Sequence, residues 1–207
     1  VHEAGHAVAY HAYGALLEGV FVALSPPRTV PLLPILPEYL HLEDVETVVQ
    51  EAIVCLAGPI ATKIILGEDG GVGNTDDLFH YGMCLHTHGI DPLKRFSDLV
   101  LRTSSLVLDF ELSIRAVASQ LAKTPSMTGT DVHPLISAIS GVPFVERDTR
   151  HIWKWVTDDR NGSPYRQSVP AGIAQPVDDT FHAYWKERAK SLHQILTTEL
   201  ARIDTMS

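Results

Sequence analysis

The sequence is poor in cysteine and short of positive charge. Its two cysteines, Cys55 and Cys84, make no Cys-x-x-Cys pair. No disulfide framework is expected, and a reducing, cytoplasmic compartment suits the pattern. Lys and Arg number 16 against 25 Asp and Glu, giving a formal net charge of -9. That excess of acid argues against binding to nucleic acid or to an acidic membrane, since both require a basic surface. The most apolar stretch, Val48 to Leu66, is interrupted by Gln50, Glu51, Pro59 and Lys63, so no membrane span is expected. A G-x-x-x-x-G-K-[ST] phosphate loop is missing, and with it any readable ATPase module. No repeat, low-complexity tract or signal peptide is apparent. Because the chain opens inside a motif, further residues upstream are expected. What remains is ordinary globular composition, 45% hydrophobic and 20% charged over 207 residues. That length suits one domain, or one domain plus an extension.

The periodicities predict a mainly α fold with a small β element. Residues 1 to 13 read as a helix closed by Gly14. Val20 to Leu24 reads as a buried strand. Pro26, Pro27, Pro31, Pro34 and Pro37 then point to an extended loop or a pair of short edge strands. Glu43 to Leu66 has helical spacing, with Pro59 expected to kink or divide it. After a turn-rich loop over Gly67 to Gly73, Asn74 or Thr75 should cap a helix from Asp76 to Leu85. A single long amphipathic helix follows, with Leu106, Phe110, Ile114, Val117 and Leu121 on one face. Thr128 to Asp131 approximates a capping box before a short helix over His133 to Ile139. Residues 141 to 177, with His151, Trp153 and Trp155, read as irregular. Phe181, Tyr184, Trp185, Leu192, Ile195, Leu196 and Ile203 mark a final amphipathic helix.

The opening residues Val-His-Glu-Ala-Gly-His contain the chemistry. His2 and His6 are four apart, so a helix sends both imidazoles from one face, one turn apart. That spacing suits two neutral nitrogen ligands on one Zn²⁺. Glu3, next to His2, is placed to take a proton from water and return it to a leaving amine. H-E-x-x-H on a helix is the signature of zinc peptidases. A catalytic zinc needs a third protein ligand as well, and the residues alone leave several downstream acids and histidines open. Glu51 is one candidate, since many such enzymes take a glutamate from a later helix.

Three strings resemble the peptidase domain of FtsH-type ATP-dependent zinc metallopeptidases. They are His2-Glu-Ala-Gly-His-Ala7, then Leu56-Ala-Gly-Pro-Ile-Ala61 with Ile64-Ile-Leu-Gly-Glu68, then Gly73-Asn-Thr-Asp-Asp-Leu78. Ser126-Met-Thr-Gly-Thr-Asp-Val132 is similar to that family's closing segment. The resemblance covers roughly residues 1 to 140 and implies a helical zinc-peptidase domain there. Residues 141 to 207 form a C-terminal extension outside it. It also implies that Asp77 is the third zinc ligand, ahead of Asp76 and His80. The family's Gly-Gly-Arg-Ala-Ala-Glu stands here as Ala57-Gly-Pro-Ile-Ala-Thr62, without the Arg and the Glu. The expected function is a zinc endopeptidase acting on polypeptides, ATP-independent within this chain. A homo-oligomer and a separate unfoldase are the further partners that reading allows. The competing function is a catalytically weak binding or regulatory module, motivated by the missing motor and the extension.

Overall fold

The structure is a computed structural model that describes residues 1–24, 26–31, 45–68, 73–147 and 179–204. Helix α1 (His2–Ala12) carries the opening motif. It ends where Gly14 takes a φ of 70°, a left-handed turn that costs glycine little. α1 is faced with small residues because it crosses close to α2 (Val45–Leu66). Ala4, Ala7 and Ala9 are buried, as are Ala52, Ala57 and Ala61 on the partner helix. A Cβ at Gly5 would stand 2.6 Å from the Ala57 carbonyl oxygen and 2.8 Å from the Ala61 methyl. No larger residue fits between these two helices as they stand.

α2 runs unbroken through Pro59, so of the kink or division expected there the division does not occur. Its packing explains the continuity, for α1, α3 (Gly73–Thr87) and α4 (Pro92–Asp109) all lie against it. α2 is long and apolar enough to cross a bilayer by length and composition, yet 67% of its most apolar window is buried inside the protein. It therefore serves as the central core helix here.

β1 (Leu17–Phe21) lies between β2 (Arg28–Pro31) and β3 (Ser126–Thr128) in an antiparallel sheet of order β2-β1-β3. The strand expected over Val20 to Leu24 is thus shifted: only Val20 and Phe21 belong to it, and Leu24 is exposed beyond its end, while Pro31 ends an edge strand. The third strand had no counterpart in the sequence reading. α5 (Glu111–Lys123) follows α4 directly, so the single long helix expected around Leu106 to Leu121 is two. The break falls at Phe110, where φ -108° and ψ 14° leave the helical region. α6 (Gly129–Ser140) starts at the expected capping box, with the Thr128 N–H and hydroxyl both donating to the Asp131 carboxylate.

The final helix, α7 (Asp179–Asp204), packs mainly on α3. Its Ala189, Leu192, Leu196 and Leu200 join the same buried cluster as Val8, Ile53, Leu78 and Ile136. The fold is therefore mainly helical, with one small sheet beside the first helix. Pro34, Pro37, His41, Glu43, His151, Trp153 and Trp155 lie outside the described residues.

Candidate metal centre

α1 supplies His2 and His6 from one face, and α3 supplies Asp77 from its first turns. Asp77 Oδ2 lies 2.9 Å from His2 Nε2, and Oδ1 lies 3.5 Å from His6 Nε2. The two Nε2 atoms are 3.1 Å apart. All three donor atoms fall within 4.8 Å of one another, and this is the one such His/Cys/Asp/Glu group among the described residues.

Neighbouring groups decide which atoms face inward. His6 Nδ1–H donates to the Val54 carbonyl on α2 at 2.8 Å, which leaves Nε2 as the nitrogen that faces the cluster. The two imidazoles stand edge to face, with centroids 4.8 Å apart. Gly58 on α2 lies directly behind them. A Cβ there would come within 2.7 Å of His6 Cε1 and 2.8 Å of His2 Nε2. The missing side chain keeps the space in which the three donors converge.

Charge is concentrated at this point. Burial pushes the His6 pKa down, but the Asp77 carboxylate beside it more than reverses this and raises it to about 9. Burial works against the Asp77 charge too, and the two imidazoles outweigh it, holding the carboxyl well below the usual range. Asp77 Oδ2 is buried and faces His2 Nε2. A buried carboxylate, two converging imidazole nitrogens and a glycine cradle together fit a divalent metal with N and O ligands.

Glu3 stands beside the cluster, where Thr29 Oγ1 of β2 donates to its Oε2 at 2.9 Å. His2 and Glu3 open onto a cavity of about 640 Å³, whose walls include Val22, Thr62, Asp76 and Leu121. That size falls in the range that accepts a small ligand or a few side chains.

The rival acids are elsewhere. Asp76 is exposed on the cavity rim, and His80 is exposed with its ring against Phe79. Glu51 faces Arg147 at 3.8 Å. His88 Nδ1 donates to the Cys84 carbonyl. His11 is buried, with its Nδ1 3.3 Å from His133 Nδ1. No motif in the sequence points to Thr29 or to the Val54 carbonyl. Gly58 alone had a signal, as the glycine of the Leu56 to Ala61 string. Neither a scan against protein-family models nor a search of curated proteins finds a match to this chain.

Proposed function

We propose that this chain is a zinc-dependent endopeptidase of the FtsH-like peptidase type, with His2, His6 and Asp77 as zinc ligands and Glu3 as general base and acid. The observation that carries the reading is the convergence of the motif's two imidazoles with a carboxylate from a separate helix. When bound, zinc would supply Lewis acidity and lower the pKa of water from 15.7 to about 7.

The chain's own residues account for the rest of the chemistry. His2 and His6 would hold the ion through Nε2 and Asp77 through its carboxylate, a donor set that suits a catalytic zinc. A polypeptide bound along the cavity places its scissile carbonyl next to Glu3. Glu3 takes a proton from the attacking water at its carboxylate. It then delivers that proton to the amine nitrogen as the C–N bond breaks. Apolar walls such as Val22 and Leu121 limit competing water and favour an apolar side chain beside the cleaved bond.

Metal analysis and peptide hydrolysis test this together. The purified chain should bind stoichiometric zinc, and His6→Ala and Asp77→Ala should lose most of it. Glu3→Gln should retain zinc while cleavage falls by about 10²- to 10⁴-fold. Protein without zinc affinity, or a Glu3→Gln variant that cleaves like the wild type, overturns the proposal.

A further inference from the structure

We infer that Thr29 is the residue that positions Glu3 for proton transfer, an inference that rests on the peptidase reading above. The Thr29 hydroxyl lies 2.9 Å from Glu3 Oε2 and also 2.9 Å from the Glu3 backbone oxygen. A single O–H serves both acceptors, by sharing or in alternation. Among the described residues it is the one hydrogen-bond donor to the Glu3 carboxylate.

Glu3 needs such a donor. It sits in the first turn of α1 at the mouth of the cavity, on a side chain with three rotatable bonds. Left alone, the carboxylate would sample several rotamers, few of which point toward the reacting water. Thr29 is fixed far better. It is β-branched and lies in β2, paired with Val20 of the central strand, so its χ1 is restricted and its backbone is held by the sheet. A stiff donor therefore selects one orientation of a flexible acceptor. The bond leaves Oε1 free to exchange the proton while Oε2 is anchored.

The same contact gives the sheet a role in the site. No ligand comes from β1, β2 or β3, yet β2 reaches the metal-binding helix through Thr29. A tie to the backbone oxygen alone would suit a structural role. The second contact, to the carboxylate itself, reaches the group that exchanges the proton.

Thr29→Val keeps the β-branched shape and removes the hydroxyl, whereas Thr29→Ser keeps the hydroxyl and removes the methyl. Both are compared with wild type and Glu3→Gln in the full chain. Three quantities are measured: zinc stoichiometry, kcat and KM for a cleaved peptide, and the side-chain ¹³C carboxyl resonance of Glu3 in metal-free protein. The last is assigned by its loss in Glu3→Gln. In Thr29→Val, kcat should fall about 10-fold or more, as expected for losing a hydrogen bond to a charged group. KM should stay within about 2-fold and zinc stoichiometry should be unchanged, because no ligand is touched. The Glu3 resonance should move, and Thr29→Ser should restore both kcat and resonance. A Thr29→Val variant with wild-type kcat and an unmoved resonance overturns the inference while leaving the peptidase reading intact. So does a Thr29→Ser variant as impaired as Thr29→Val, which would assign the effect to methyl packing. Full activity in Glu3→Gln removes the peptidase reading, and this inference with it.

Discussion

At the scale of single residues, the site depends on a side chain that is missing as much as on those present. Gly58 leaves open the volume that a methyl would fill against His6 and His2. Gly58→Ala should therefore weaken zinc binding by about 10- to 100-fold, the range seen when groups supporting a metal ligand are disturbed. Competition with a chromophoric chelator measures this, and wild-type affinity would show that the imidazoles move aside freely. The His6–Asp77 pair makes a second prediction, for the metal-free protein. The folded pKa of His6 is raised from 6.5 to about 9, so its contribution to stability is full below pH 6.5 and is lost as pH rises through about 9. Asp77 is depressed from 3.8, so its contribution is full above that value and is lost on further acidification. Metal-free protein should then be most stable between these limits, with a Tm that falls toward pH 9. In His6→Ala the alkaline fall attributable to this pair should vanish. An unchanged difference curve would mean the pair does not stabilise the fold. His2, Glu3 and His6 were legible because a helix translates spacing into direction. Thr29 was not, since nothing local in a short Thr-containing strand says which helix it will touch.

Elements were legible where one period dominates and illegible where tertiary contacts decide. The helices around His2 to Ala12 and Val45 to Leu66 are legible in the sequence, and Pro59 does not divide the second because packing on three sides outweighs one missing N–H. The division at Phe110 left no such mark, as the apolar series continues across it. β3 was hidden because three residues carry too little pattern. Where α1 and α6 meet, a contact between elements makes its own prediction. His11 Nε2–H donates to the Val142 carbonyl at 3.3 Å, so His11 Nδ1 accepts from His133 Nδ1–H. His133 also stacks on Phe144, with ring centroids 3.9 Å apart. Burial, and then the neighbouring His11, lower the His133 pKa from 6.5 to about 4. Burial lowers His11 too, with the Val142 carbonyl opposing it. A base with a depressed folded pKa contributes stability that is present above pH 6.5 and lost as pH falls through about 4. Thermal melts of the wild type should therefore drop over that window more steeply than those of His133→Gln. Parallel curves would show that the joint absorbs a proton without cost.

For the whole molecule, the last helix decides how far the site stands alone. The sequence marked an amphipathic helix there but set its face by the largest apolar residues, Tyr184 and Ile195 among them. Both are in fact exposed, at 52% and 38%, while Ala189 and Leu200 are buried. Leu192 and Leu196, expected on that face, are buried, whereas Ala189 weighs too little in a periodicity count to mark it. The buried side packs on α3, the helix that carries Asp77. Each Leu fully buried there contributes about 1.5–3 kcal/mol, and Leu192, Leu196 and Leu200 together approach the 5–15 kcal/mol that a whole domain commonly has. Leu192→Ala should cost about 2–5 kcal/mol in urea unfolding, whereas Ile195→Ala, half out of the contact, should stay within about 0.5 kcal/mol. A chain ending before residue 179 should lose more, exposing one side of α3 and loosening the carboxylate that it holds toward His2 and His6. Its zinc affinity should fall along with its unfolding cooperativity. A truncated chain that melts cooperatively and binds zinc as tightly as the full chain would show that α3 is held without α7.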